Sequence, residues 1–288
     1  MSSEPVERIA GIRVATGGSI DLDGRLLKGV SWGGIRTCLE VPEWDLIVDL
    51  GAVDHRQVYA RRVLLTHSHL DHLGGLANHI ALRELMGQSS AEYFFPPTIE
   101  APIQRLLEVW RELDRAPLEA NLIPLAPGTW RPLQRDLAIQ PFATQHRVDS
   151  QGYLIWRVTQ KLNPELEGRP SVEIGRLRAA GEAVTHEERF AEFAFSGDTT
   201  IDGMLAHPDV MAAKRIVMDA TFLDDAVSVE KARRLGHVHL DEVAEHAEAF
   251  QCEHLVLTHL SQRYSLQAAA QIVRKRVPKE LHRRVTLL

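Results

Sequence analysis

The run Thr66-His67-Ser68-His69-Leu70-Asp71-His72 places four potential metal ligands within six residues. Zinc prefers neutral imidazole and carboxylate donors, and catalytic sites leave a position open for water. Two such metals about 3.5–4 Å apart can clamp both oxygens of an in-line displacement. His67 and His69 are two apart just after the apolar run Arg62–Leu65, so in extended geometry they point the same way. Asp71 and His72 follow after a turn and can face a second metal where a helix begins. Gly74-Gly75 lets the backbone pass close by. A solvated histidine-rich loop is the bland alternative, and it leaves four donors in six residues unexplained.

Four further elements each set a polar residue beside a strand-like run. His146 lies in Thr144-Gln145-His146-Arg147, a few residues after the Leu137–Phe142 run. Taken singly it would be a surface histidine. Asp198 lies in Phe195-Ser196-Gly197-Asp198-Thr199, where an isolated Gly-Asp is ordinarily only a turn. His259 closes Leu255-Val256-Leu257-Thr258-His259, repeating the pattern of Leu64-Leu65-Thr66-His67. His237 and His239 lie in Gly236-His237-Val238-His239, before a helix. The remaining histidines (His55, His79, His186, His207, His246, His254 and His282) have no motif partners and read as surface or packing residues.

The elements that must position these side chains are short. Gly11–Thr16, Arg36–Val41, Leu46–Asp49 and Arg62–Leu65 read as strands in the first half. Leu137–Phe142, Tyr153–Val158, Phe193–Phe195, Ile216–Met218 and Leu255–Leu257 do so in the second. Apolar spacing predicts helices over Leu73–Met86, with Gly87 as the stop, and over Thr98–Leu113, Val243–Phe250 and Leu266–Val273. Several strands are adjacent in sequence. A layered α/β fold, two sheets in a sandwich with helices on the outer faces, accounts for this better than a doubly wound sheet. No linker or repeat divides the 288 residues, so one domain spanning 1–288 is expected. Lys161–Glu188 is polar and Gly/Pro-rich and interrupts two strands, as an arm or long loop at about 157–190 would.

The formal net charge of −6 argues against a surface coated in positive charge. Cys38 and Cys252 form no Cys-x-x-Cys pair and read as buried apolar residues of a reducing compartment. The first residues, Met-Ser-Ser-Glu-Pro-Val-Glu-Arg, lack a signal-peptide pattern. No apolar window reaches the ~18 residues of a membrane span. These features predict a cytoplasmic protein without a membrane partner.

The His-x-His-x-Asp-His run, with the later His146, Gly197-Asp198 and Thr258-His259 elements in this order, resembles the metallo-β-lactamase fold superfamily. Its fold is an αββα sandwich of two mixed β-sheets flanked by helices. Leu257-Thr258-His259-Leu260-Ser261-Gln262-Arg263-Tyr264 resembles the Thr-His-Phe-Ser-x-Arg-Tyr closing motif of ribonuclease Z, the tRNA 3′-processing endonuclease. Asp219-Ala220-Thr221-Phe222-Leu223-Asp224-Asp225 and Lys161-Leu162-Asn163-Pro164-Glu165 are similar to its short-form, plant-type branch. The resemblance runs from about Val30 to Tyr264.

It implies two zinc ions, although manganese or iron occupy similar His/Asp sites. His67, His69 and His146 would bind one, Asp71, His72 and His259 the other, and Asp198 would bridge them. A bridging hydroxide, oriented by Asp71, would attack phosphorus. His237 would protonate the leaving 3′ oxygen. His239 departs from the commoner Gly-His-Ser-Thr pattern and reads as structural or as a support to the ligands. Asp49 is expected to accept from ligand histidines. Thr199 adjoins Asp198, and Ser261, Arg263 and Tyr264 would hold a phosphate or brace the His259 loop.

The resemblance also implies precursor tRNA as substrate and a homodimer. The arm holds Arg157, Lys161, Arg169, Arg176 and Arg178 against Glu165, Glu167, Glu173 and Glu182, a small excess for gripping RNA. A late basic cluster, Arg274-Lys275-Arg276, Lys279 and Arg283-Arg284, is either a phosphate-tracking face or a solvated helix and tail. Another phosphodiester substrate, or another hydrolysable bond such as a thioester or lactone, therefore stays open.

Overall fold

A computed structural model describes residues 6–15, 17–134 and 136–288. Their strands form two mixed sheets. In the seven-stranded sheet the spatial order follows the chain: Ser19–Asp21, Leu26–Trp32, Arg36–Val41, Leu46–Val48, Arg62–Leu64, Glu92–Phe95 and Asn121–Pro124. The nine-stranded sheet runs Val6–Ile9, Ile12–Ala15, Val285–Leu287, His254–Thr258, Arg215–Asp219, Thr185–Phe195, Gln151–Leu162, Leu137–Ala143 and Arg131–Gln134.

Side-chain alternation sorts the core into layers. Leu46, Val48, Leu64 and Phe94 of one sheet meet Ile139, Tyr153, Ile155, Phe193 and Val217 of the other. The intervening residues Ile47, Val63 and Tyr93 point outward, where Leu76 and Ile80 of helix Leu76–Leu85 and Ile103 and Leu107 of helix Glu100–Asp114 cover them. On the other flank, Ala269, Ala270 and Val273 of helix Leu266–Arg276 pack on Ile216, Leu255 and Leu257. The result is helix, sheet, sheet, helix, as expected. Strands covered on both faces lose the polar alternation of a half-exposed sheet, which is why Leu46-Ile47-Val48 and Arg62–Leu65 read as continuous apolar runs. Tyr153 joins the sheets by a polar contact as well: its buried hydroxyl donates to the Leu65 carbonyl at 2.9 Å.

Several boundaries differ from the sequence expectation. The predicted Leu73–Met86 helix begins at Leu76, after a separate turn over Leu70–Leu73. The expected Val243–Phe250 helix is instead Leu240–Glu245 followed by a 3-10 turn over Ala247–Ala249. Its start is set by His239, whose Nδ1 accepts from Asp241 N, in a reciprocal box with Glu242. The last residue of the predicted Gly11–Thr16 strand, Thr16, and residues 1–5 lie outside the described residues. Strands such as Leu26–Trp32, Glu92–Phe95 and Asn121–Pro124 were not apparent from apolar pattern. Lys161–Glu188 is more ordered than a loop. The strands Gln151–Leu162 and Thr185–Phe195 continue into it as an antiparallel ribbon, and helix Ser171–Ala179, with no buried residue, crosses its end.

His79, read as a packing residue, is fully buried in the helix Leu76–Leu85. Its Nε2 lies 3.3 Å from the Gln57 carbonyl and its Nδ1 2.8 Å from the Tyr93 hydroxyl. A carbonyl only accepts, so Nε2 carries the proton and Nδ1 accepts from Tyr93. Burial pushes its pKa down to about 4, from about 6.5 in an unfolded chain. Below that unfolded value the unfolded chain binds a proton that the folded one refuses. Stability is therefore lost as pH falls from about 6.5, and the loss levels off near 4. In urea unfolding at a series of pH values, His79→Gln will show a slope in this window shallower by up to one proton. An unchanged slope would assign the acid sensitivity elsewhere.

Candidate metal centre

The predicted donors meet at one edge of the sandwich, at the carboxyl ends of parallel strands. His67 follows Arg62–Leu64, Asp198 follows Thr185–Phe195, and His259 follows His254–Thr258. His146 comes from the loop after Leu137–Ala143, and Gln151 N ties the end of that loop to the Thr66 carbonyl at 3.0 Å. Two residues reach the site through left-handed backbone: Asp49 at φ 62° and His259 at φ 57°. Such a φ is costly for a residue other than glycine and persists where the surroundings over-determine it. Gly197 also has positive φ, and a Cβ there would lie 2.7 Å from Thr66.

Hydrogen bonding fixes which ring nitrogens face inward. The Thr66 hydroxyl lies 2.9–3.0 Å from both oxygens of Asp49 and 2.9 Å from His67 Nδ1. Its single proton goes to the carboxylate, so its oxygen accepts from His67 Nδ1–H and leaves a lone pair on Nε2. Asp49 accepts His72 Nδ1–H as well, at 2.7 Å. The second half of the chain builds the same relay. Thr221 donates to Asp219 at 3.3 Å and accepts from His259 Nδ1–H at 2.9 Å. His146 Nδ1–H donates to the Gly236 carbonyl at 2.8 Å. A Cβ on Gly236 would lie 2.6 Å from that same nitrogen.

The freed lone pairs converge. His69 Nδ1 lies 3.1 Å from both His67 Nε2 and His146 Nε2. His72 Nε2 and His259 Nε2 are 3.2 Å apart, and Asp71 Oδ2 is 3.3 Å from the latter. Asp198 Oδ2 sits between the groups, 3.4 Å from His72 and His259 and 3.8–3.9 Å from His67 and His146. Acceptors facing acceptors repel unless a cation separates them. Nitrogens bound tetrahedrally at ~2.05 Å would stand roughly 3.3 Å apart, close to the spacings seen. Asp198 Oδ1 and Asp219 Oδ1 are buried without a hydrogen-bond partner, and such orphaned acceptors are rare in native proteins. The residues fit a divalent metal.

The electrostatics agree. Burial lowers the pKa of His67, His69 and His146, the last to about 4, which favours the neutral ligand form. For His72, burial acts in the same sense, yet the charges of Asp198 and Asp49 outweigh it and raise the value. The positive charge they demand is the one a cation at Nε2 supplies. Burial alone would raise Asp198, but His259 and His72 hold it below the usual carboxylate range.

His237 stands beside the cluster. Its ring stacks on His259 at 5.3 Å, and its Nδ1 lies 3.0 Å from Asp219 Oδ2 and 3.9 Å from Asp198 Oδ2. The sequence motif containing Asp219 and Thr221 does not by itself assign them a role in the site. Asp219 ends the apolar run Arg215–Asp219 as Asp49 follows Leu46–Val48, and that parallel was available as a signal. Thr258, the apparent counterpart of Thr66, instead donates to the Met218 carbonyl at 3.1 Å.

The other proposed contacts divide. Asp49 lies against the ligands, as described. Thr199 Oγ1 accepts from Gln145 N at 3.0 Å and pins the Asp198 turn to the His146 loop. Ser261 N donates to the Thr221 carbonyl at 3.1 Å. The Tyr264 hydroxyl donates to Asp224 at 2.9 Å and accepts from Leu223 N, bracing the His259 loop. The exposed Arg263 lies over Phe222. His239 is turned away: it caps a helix and its Nε2 donates to the Asp224 carbonyl at 3.1 Å. Its role is structural. In the late basic cluster, Arg276 pairs with Asp225 and Asp241, and Arg284 donates to the Phe250 and Cys252 carbonyls. Those two cations bind the fold together, so the cluster is not a uniform phosphate-tracking face.

Thr66→Val keeps the side-chain shape but removes the oxygen between His67 and Asp49. Loss of such an orienting partner typically costs about 10–100-fold in metal affinity. A competitive chelator titration with zinc will show a drop of that order. Undiminished affinity would remove Thr66 from the relay.

Comparison with known proteins places this centre in a family. The profile of the beta-lactamase superfamily domain matches residues 52–260. Arabidopsis thaliana tRNase Z TRZ1 is 36% identical over 272 residues, covering 94% of this chain and 97% of that protein. The chloroplastic tRNase Z TRZ2 of the same organism is 36% identical over 258 residues, covering 89% and 73%. Among solved structures, human tRNase Z, short form, superposes with a TM-score of 0.58 at 18% identity, covering 90% of this chain and 93% of that one. The metallo-beta-lactamase fold protein YhfI from Bacillus subtilis gives 0.60 at 15% identity over the same shares. Those structures share the fold, and the Arabidopsis sequences narrow it further: the chain belongs to the tRNase Z family of the metallo-β-lactamase superfamily.

Proposed function

We propose that His67, His69 and His146 hold one divalent ion, that Asp71, His72 and His259 hold a second, and that Asp198 bridges them. The observation that carries this reading is the division of the inward lone pairs into two groups with Asp198 Oδ2 between them. Zinc suits the donor set, and manganese or iron are alternatives that metal analysis separates. When bound, such a pair supplies Lewis acidity, lowering the pKa of an attacking water and neutralising phosphate oxygens.

The enzyme is a metal-dependent endoribonuclease of tRNA 3′ processing, and its own residues have distinct tasks. Asp71 Oδ2 accepts from Gly34 N at 2.9 Å, which fixes its carboxylate to orient the attacking water. Asp219 holds His237 through Nδ1. Burial opposes a charge on His237, but the hydrogen bond and charge of Asp219 outweigh it and raise its pKa. Nε2, with no partner among the described residues, then presents a proton to the leaving 3′ oxygen of the mature RNA.

The arm at about 157–190, an outgrowth of a single domain spanning 1–288, would contact the precursor through Arg176 and Arg178, both exposed on its helix. Leu106, Val109, Trp110 and Leu113 form an exposed apolar stripe on helix Glu100–Asp114, and a second copy of the chain is its proposed occupant. Among the described residues no helix is long and apolar enough to cross a membrane. The buried free thiols Cys38 and Cys252 suit a reducing compartment such as the cytoplasm.

Two substrates test the reading: precursor tRNA with a 3′ trailer, and bis-p-nitrophenyl phosphate. Cleavage of the precursor after the discriminator base is expected. His237→Ala will keep its metal and lower precursor turnover by about 10²–10⁴-fold. It will affect the small ester far less, because p-nitrophenolate leaves without a proton. Equal losses on both substrates, or normal precursor turnover, would overturn the proton-donor role.

A further inference from the structure

The loop between strands Leu137–Ala143 and Gln151–Leu162 is tied at both ends to segments that carry the donors. Gln145 N donates to Thr199 Oγ1, the Thr200 hydroxyl donates to Gln145 Oε1 at 2.8 Å, and Thr200 N donates to the Gln145 carbonyl at 3.0 Å. Thr144 and Ser150 close the loop through their hydroxyls at 2.7 Å. His146 is held by the Gly236 carbonyl, and Gln151 N donates to the Thr66 carbonyl. Two charged side chains between these ties take no part. Arg147 and Asp149 are both exposed and make no hydrogen bond or ion pair among the described residues. Arg147 follows the donor His146 directly. Its backbone nitrogen also abuts Gly236, where a Cβ would come within 3.2 Å of it, so Arg147 stands next to the Gly236-His237 backbone as well.

This loop is one wall of a cavity of about 500 Å³, and Pro96, Pro97, Thr98 and Pro127 are another. That volume is ordinary for a small-molecule site. Pro97 and Pro127 are exposed there, and their rings offer flat apolar faces. Gln151 lines the same cavity and is almost completely buried. Its Nε2 donates to the Tyr153 hydroxyl at 2.7 Å, and that hydroxyl passes its own proton to the Leu65 carbonyl. The amide therefore cannot flip, and Gln151 Oε1 is left buried without a partner. An orphaned acceptor of this kind is rare and costly. It calls for a donor, such as a ribose hydroxyl or a base amino group reaching it directly or through one water.

Apolar faces, an uncommitted guanidinium and an unmet acceptor, all beside a centre that attracts phosphate, match one class of ligand: a nucleotide within a strand. We propose that this cavity is a nucleotide subsite flanking the metal centre, in which Arg147 binds a phosphate neighbouring the scissile one and Pro97 and Pro127 carry the sugar and base. The proposal rests on the tRNA reading above. Because the loop is fixed through Gln145, His146 and Gln151, the guanidinium is carried on a backbone already set relative to the donors, and binding it costs little reordering.

The test uses the full chain loaded with zinc, with precursor tRNA bearing a 3′ trailer and with bis-p-nitrophenyl phosphate. In Arg147→Ala, kcat/KM on the precursor is expected to fall about tenfold, as loss of one hydrogen bond to a charged group does. The fall should lie mainly in KM, the sign of lost ground-state binding. The logarithmic salt slope should become shallower by roughly 0.7–0.9, for one phosphate contact. Zinc affinity should not change, the small ester should lose far less, and Arg147→Lys should recover the salt slope. Thr98→Trp, which sets an indole into the cavity, should raise KM for the precursor in the same way. An unchanged precursor KM in either Arg147→Ala or Thr98→Trp would overturn the subsite. So would equal loss on both substrates or weakened zinc in Arg147→Ala, since Arg147 would then act only by holding His146. Each of these results leaves the tRNA reading intact. An unaltered enzyme that cleaves the small ester but not the precursor would sink the tRNA reading and the subsite with it.

Discussion

Five imidazole lone pairs and two carboxylates face one another at the edge of this sandwich with no donor between them. Such acceptors repel one another, and the surrounding hydrogen bonds keep the rings from turning away. Four of the five are locked from behind. His67 and His72 donate to the Asp49 assembly, His259 to the Asp219 assembly, and His146 to the Gly236 carbonyl. The rest of the architecture can be seen as the means of holding those outer partners still. Asp49 and Asp219 are each almost completely buried at the ends of parallel strands in the two different sheets.

The two Asp–Thr–His relays diverge in one consequential respect. Asp49 supports two inward-facing rings, His67 and His72. Asp219 supports one, His259, together with His237, whose remaining nitrogen is left for another purpose. The same carboxylate thus helps orient an inward-facing ring and also holds the imidazole at the margin of the cluster. A buried aspartate bonded to His237 directly and to His259 through Thr221 couples their positions: the two rings share the Asp219–Thr221 anchor.

Substrate recognition lies outside this frame. The arm is a ribbon prolonging two core strands, and its helix packs no residue into the core. Its charges are partly spent on itself, as in Arg169–Glu173 and Lys161–Glu188. The turn at Trp32–Arg36 differs, since it touches the centre directly through Gly34.

The local sequence alone determined the ligand types and the layered class. Four donors in six residues can serve little else, and two-sided burial of short strands imposes the apolar runs that mark Leu46–Val48 and Arg62–Leu65. Tertiary structure decided what depends on residues far apart in the chain. Thr221 rather than Thr258 supports His259, because the left-handed turn at His259 swings its ring away from its own strand. His239 is a helix cap and not a support of the site, because its lone pair is already satisfied by Asp241 N. Asp219 enters the site only once the parallel pairing of Arg215–Asp219 with His254–Thr258 brings its carboxylate beneath His237 and His259. Donor type is a property of the residue. Which lone pair points inward is set by partners between 1 and 90 residues away, and only the fold brings the distant ones together.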